Sequence, residues 1–130
     1  IEIYNNGDMI RDFTFVDDIV EGISLIIKKI ASPDKDFNKI NPNPSTSWSP
    51  YRIFNIGNSK AINLMEYIEC IENIIEKKAI KKFMPMQAGD VKKTISDTSS
   101  LKNWINFSPS TPVKVGIKSF IDWYREFYKV

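Results

Sequence analysis

The 130-residue chain contains no histidine and a single cysteine, Cys70. A disulfide within the chain is therefore impossible, and Cys/His zinc sites and His-based triads are excluded. Cys70 lies in an apolar-periodic segment and reads as a buried, reduced thiol rather than a nucleophile. Glycine is scarce, with five residues at scattered positions, so no G-x-x-G-x-x-G phosphate turn exists. No run is apolar enough for a membrane span and nothing reads as a signal peptide, which predicts a cytoplasmic setting without membrane contact. The net charge is only +2, from 18 basic and 16 acidic residues, and gives no electrostatic case for nucleic acid. Only three of the basic residues are arginine: Arg11, Arg52 and Arg125. Arginine is the bidentate reader of phosphate and carboxylate, so each carries information that the fifteen lysines do not.

What is present is a chain with 42% hydrophobic residues, enough for a packed core. Ile1–Tyr4 alternates as a strand, Asn5-Asn6-Gly7-Asp8 signals a hairpin turn, and Met9–Val16 reads as a second extended run. Asp17 or Asp18 is expected to cap a helix with Ile19, Ile23, Ile26, Ile27 and Ile30 on one face. Residues 31–50 hold four prolines, four serines and three asparagines, and are expected to form a mobile loop. Tyr51–Ile56 reads as a strand ending at Gly57. Asn63 is placed to cap a helix, with Glu66 as its reciprocal partner and Leu64, Ile68, Ile71 and Ile75 as the buried stripe. Ile80–Met86 is expected to be a strand, followed by a loop with Gly89-Asp90. Asp97 opens a short helix. A last helix presents Ile117, Phe120, Ile121, Tyr124 and Tyr128 as its apolar face, with Trp123-Tyr124 as core packing. Strands and helices alternate, so the class is mixed α and β over a single domain, 1–130. Few short strands leave sheet edges without partners, and the chain opens on Ile1 within a strand-like run; both lead us to expect a missing half.

Two short blocks carry the functional signal. Arg11 lies on an extended run between a turn and a helix start, where a guanidinium can present a fixed fork to phosphate; pairing with Asp12, Asp17 or Asp18 would explain it equally well. In Gln87-Ala88-Gly89-Asp90, the glycine permits close backbone approach and the following carboxylate can accept from a ribose diol; a plain polar turn is the simpler account.

Five blocks in order change this balance. Met9–Ile19 resembles the "RDFTYVDDIVEG" block of extended short-chain dehydrogenases acting on nucleotide sugars. Tyr51–Asn58 resembles their "YNIGN" strand, Met86–Val91 the "QPGDV" turn of UDP-glucuronate 4-epimerases, Ser96–Ser99 their "ADTS" cap, and Gly116–Arg125 their last helix. The resemblance implies the carboxy-terminal, substrate-binding portion of such an enzyme, without the Rossmann NAD-binding half. It implies inversion at the sugar C4 through a 4-keto intermediate, with NAD in the complete enzyme and none held by this chain. By the motif, Arg11 would contact the diphosphate and Asp90 the ribose. Gln87 stands where galactose-type relatives have a second phosphate-binding Arg, and its amide can still donate. No catalytic residue can be assigned, since no Tyr is followed four residues later by Lys, and the isolated chain is expected to be inactive. Its expected partners are a UDP-sugar, the missing Rossmann domain, and a second copy through an exposed apolar surface. A part of a related nucleotide-sugar dehydratase or decarboxylase is a second candidate. A free-standing interaction or oligomerisation module is a third.

Overall fold

A computed structural model describes all residues, 1–130. The chain runs through β1 (Glu2–Ile3), a tight turn at Tyr4–Gly7, β2 (Ile10–Arg11), α1 (Val16–Ile27), β3 (Ile62–Asn63), α2 (Leu64–Ile75), β4 (Lys82–Phe83), α3 (Ser99–Ile105) and α4 (Val113–Tyr128). The mixed α/β class is as expected. The strands form two separate pairs: β1 lies parallel to β4, with Ile3 opposite Phe83, and β2 antiparallel to β3, with Arg11 opposite Ile62.

The expected hairpin between the first two strands does not form. The turn itself is made, with Asn5 and Asn6 at φ of 49° and 50°, a left-handed region that Asn tolerates better than most residues. Asn6 N then donates to Met84 O at 3.0 Å and Met84 N to Ile3 O at 2.8 Å, so the chain is held on β4 instead of folding back on itself. Strand β2 gains partners from elsewhere. Ile10 N donates to Lys92 O and Thr94 N to Ile10 O, which lays residues 92–94 along the β2 edge. The expected strand over Tyr51–Ile56 reduces to one bridge, Thr46 to Arg52, because no other strand lies beside it. The expected strand over Ile80–Met86 contracts to the two residues of β4 that β1 can reach. Residues 31–50 contain no helix and no named strand.

Asn63 caps α2 as its position suggested: its side chain accepts from Met65 N at 2.8 Å. Glu66 makes no return bond to Asn63. The N-cap position of α1 is Phe15, not an aspartate, and Asp17 and Asp18 lie inside the first turn, where negative charge suits the positive helix end. Asp18 is buried and turned toward the chain before α4. It accepts from Ser110 N, Thr111 N and Thr111 Oγ1 at 3.1, 2.9 and 2.9 Å.

The core joins Ile3, Met9, Ile68, Leu101, Ile117 and Ile121. It is small: 14 of 130 residues are buried, so much apolar surface stays in solvent. Ile23, Ile27 and Ile30, expected on a buried face of α1, are exposed, as are Phe120, Trp123, Tyr124 and Tyr128 of α4. In both helices the apolar stripe is wider than the neighbouring element it packs against.

Candidate functional site

The site is organised around the short strand β2 and the segment 87–97 that crosses beside it. Arg11 is held by bonds within the chain. Its Nη1 donates to Ile10 O at 3.0 Å and to Lys92 O at 3.2 Å. Its Nη2 donates to both carboxylate oxygens of Asp90, at 3.0 and 3.1 Å. Two residues that the sequence separates by 79 positions are thus brought into direct contact. Neither is deeply buried, at 23% and 35% side-chain exposure, so the pair can be reached from solvent. None of Asp12, Asp17 and Asp18 pairs with Arg11, which removes the simpler local account of this arginine.

Asp90 stands on a turn shaped for it. Gly89 has φ +82° and no atom within 4 Å of where a Cβ would lie, so the turn is open on that side. Asp90 N donates to Gln87 O at 3.3 Å, and Asp90 Oδ1 accepts from Val91 N at 2.7 Å. Gln87 is exposed and forms no bond with Arg11; its side chain lies against the Tyr4 hydroxyl. The structure therefore joins Arg11 with Asp90 and leaves Gln87 aside.

Behind this pair lies a polar knot that the local sequence does not announce. Asp12 Oδ2 accepts from Ser59 N and Ser96 N, each at 3.0 Å, and from Ser96 Oγ. Burial pushes the Asp12 carboxyl up, but the bonds from Ser96 and from the backbone of Ser59 and Lys60 outweigh it and leave the group below its ordinary value. Ser59 Oγ donates to Ser96 O at 2.9 Å and lies 3.0 Å from Thr98 Oγ1. The two loops approach so closely that a Cβ on Gly57 would fall 1.9 Å from Ser96 Oγ. Asn58, also buried, receives no charge partner: its N donates to Thr14 Oγ1 at 3.1 Å and its Nδ2 to Thr111 O at 3.1 Å. Asp12, Asp18 and Asn58 all work through partners at least 40 residues away. The one signal in the sequence was their presence inside the blocks that carry the resemblance.

Two cavities flank these groups in the fold. One, of about 490 Å³, is polar and open, and is lined by Asp12, Asn55, Gly57, Thr94 and Ser96 among others. The other, of about 340 Å³, is mainly apolar, with Phe13, Tyr67, Ile71, Ile117 and Phe120 in its wall. Phe13 stacks on Tyr67 there, with ring centres 3.8 Å apart. Neither cavity is lined by Arg11, Gln87 or Asp90.

Arg52 lies over Trp104 at 5.4 Å and donates to Tyr51 O. Cys70 is free and half-buried. No cluster of acidic or cysteine side chains could hold a metal ion. No helix is long and apolar enough to cross a membrane.

Residues 1–57 match the family model described as NAD dependent epimerase/dehydratase family. The chain is 47% identical to "Protein CapI" of Staphylococcus aureus over 129 residues, covering 99% of this chain and 39% of that protein. It is 34% identical to a "Probable UDP-glucuronate 4-epimerase" of Rhizobium meliloti, covering 99% of this chain and 38% of that one. In fold it is similar to the UDP-glucuronic acid 4-epimerase from Bacillus cereus in complex with UDP-glucuronic acid and NAD, at a TM-score of 0.74 and 23% identity, over 98% of this chain and 35% of the other. The chain thus spans between 35% and 39% of the length of these proteins. In sequence, then, the chain is similar to members of the NAD dependent epimerase/dehydratase family, and in fold to part of a UDP-glucuronic acid 4-epimerase.

Proposed function

We propose that this chain holds the nucleotide of a UDP-sugar within an enzyme of the UDP-glucuronate 4-epimerase type, which inverts the sugar C4 through a 4-keto intermediate. The observation that carries the reading is the contact between Arg11 and Asp90 at an open face. Arg11 is the phosphate reader: its orientation is already set by two backbone carbonyls, so little freedom is lost on binding. Asp90 is the ribose acceptor. Gln87 contributes at most an amide hydrogen bond and is dispensable.

NAD supplies the hydride chemistry in the complete enzyme. The residues of this chain do not fit that cofactor. Gly7, Gly22, Gly57, Gly89 and Gly116 are too far apart for a dinucleotide turn, and no Tyr-x-x-x-Lys is present. The chain on its own is therefore without cofactor and without turnover. A cytoplasmic, reduced setting belongs to the same proposal and suits the free Cys70. So do two docking partners for the exposed apolar faces: an NAD-binding portion, and a second copy meeting the aromatic face of α4.

The test is a two-dimensional NMR titration with UDP-glucuronate. The expected outcome is weak binding, with shifts centred on Arg11 and Gly89-Asp90 that disappear in Arg11→Ala. A well-folded spectrum without shifts at millimolar ligand would sink the nucleotide reading.

A further inference from the structure

In the free chain, the phosphate reader and the ribose acceptor satisfy each other. Arg11 has one arm, Nη1, committed to the carbonyls of Ile10 and Lys92. The other arm, Nη2, is shared by both oxygens of Asp90. Asp90 is also held from its own side, because Val91 N donates to Oδ1 at 2.7 Å and the turn is closed on Gln87 O. The carboxylate therefore does not simply drift away when something else takes Nη2. An anion at Nη2 would sit beside a retained negative charge, well inside the distance over which salt screens.

We infer that Asp90 is a specificity-determining residue that works by occupying Arg11: it bars phosphate anions that lack a ribose and yields Arg11 to a nucleoside diphosphate. The inference rests on the nucleotide reading proposed above. For UDP the exchange balances. The diphosphate takes Nη2, and the vicinal hydroxyls of the ribose donate to the oxygens that Asp90 had placed on Arg11. For inorganic pyrophosphate no donor replaces Nη2, so Asp90 is left with Val91 N and water next to a multiply charged anion. Selectivity of this kind depends on a repulsive element as much as on an attractive one. It also follows the rule that a site built to accept from a substrate hydroxyl rejects the analogue without it.

The experiment is calorimetric titration of the native chain, Asp90→Asn, Asp90→Ser and Arg11→Ala with UDP and with inorganic pyrophosphate, at constant ionic strength. Both Asp90 substitutions lie on an exposed loop, and amide spectra check that the fold is kept. Removing the carboxylate is expected to tighten pyrophosphate roughly five- to twentyfold, the scale of one screened charge pair near a surface. UDP is expected to gain nothing or to weaken, and Arg11→Ala to lose both ligands. Unchanged pyrophosphate affinity in both Asp90 variants, or an equal gain for both ligands, overturns the inference. If native UDP binding is absent or indifferent to Arg11→Ala while pyrophosphate tightens in Asp90→Asn, the nucleotide reading falls and the barring role of Asp90 stands.

Discussion

Asp12 has no cationic partner, yet it holds the loop behind the site together. Its Oδ2 collects donors from Ser59 and Ser96, which belong to two different segments. Nothing about an aspartate following an arginine reveals this, because both partners are more than 40 residues away. Arg11 and Asp90 were legible as candidates because each sits in a recognisable block; that they touch was not. Removing the Asp12 side chain would strand two backbone N–H groups. Asp12→Ala is expected to destabilise the chain by about 2 kcal/mol, an ordinary cost for lost charged hydrogen bonds at a partly exposed position. Asp12→Asn, which keeps one acceptor, should recover part of that in urea unfolding. The pH dependence has a definite sign. The Asp12 carboxyl is lowered from its ordinary 3.8 in the folded chain. Its contribution is therefore complete above 3.8 and lost as pH falls through the folded value. Asp12→Asn should be insensitive to that step.

Helix α2 was the most readable element, since its cap and stripe are local features. Asn63 caps it, Ile68 is buried, and Glu76 ends it at a left-handed φ of 57°. The strands were the least readable, because a strand exists only where a partner reaches it. Residues 51–56 carry strand-like patterning but meet only the loop at Ser45-Thr46, and the run 80–86 is a strand only where the short β1 lies beside it. The junction from α2 into β4 is set by one carboxylate instead. Glu72, nearly buried on α2, accepts from Lys81 Nζ, from Ala79 N at 2.9 Å and from Lys78 Nζ at 3.0 Å. Lys81, then the Ala79 N–H and Lys78, hold its carboxyl down at about 2 from 4.5. A depressed acid stabilises the fold above its unfolded value, so this clasp is intact above pH 4.5 and is lost as pH falls toward about 2. Glu72→Gln is expected to lower the thermal midpoint at pH 7. It should also flatten the acid limb between pH 4.5 and about 2, read by circular dichroism.

The whole molecule exposes what its elements were patterned to bury. Helix α1 turns Gly22 inward against Ile56 and Phe107, while Val16, Val20, Ile23 and Ile27 form a second stripe in solvent. A helix apolar on two sides belongs in a covered position. Sequence periodicity reports that such a stripe exists, but not whether the chain supplies its cover. Helix α4 goes further. Ile117 and Ile121 are buried, whereas Phe120, Trp123, Tyr124, Phe127 and Tyr128 are 57%, 52%, 43%, 65% and 54% exposed. These rings lean on one another along the helix, with Trp123 and Phe127 centres 5.4 Å apart and Tyr124 and Tyr128 centres 4.6 Å apart. Five half-exposed aromatic side chains leave on the order of 400–600 Å² open. That reaches the upper end for the largest patch on a monomer and is more than half of one partner's share of a standard interface, roughly 800 Å². Two copies joined across this face would remove roughly 1,000 Å² of aromatic surface, the lower bound for a specific contact. The chain is therefore expected to associate reversibly at micromolar concentrations in sedimentation equilibrium. The double substitution Trp123→Glu, Phe127→Glu should make it monomeric at the same concentrations. Because both rings are more than half exposed, their loss should change urea stability of the dilute chain by less than about 1 kcal/mol. A variant that unfolds instead would mean that the rings support the fold of the single copy. A native chain that stays monomeric would leave the aromatic face without the second copy assigned to it.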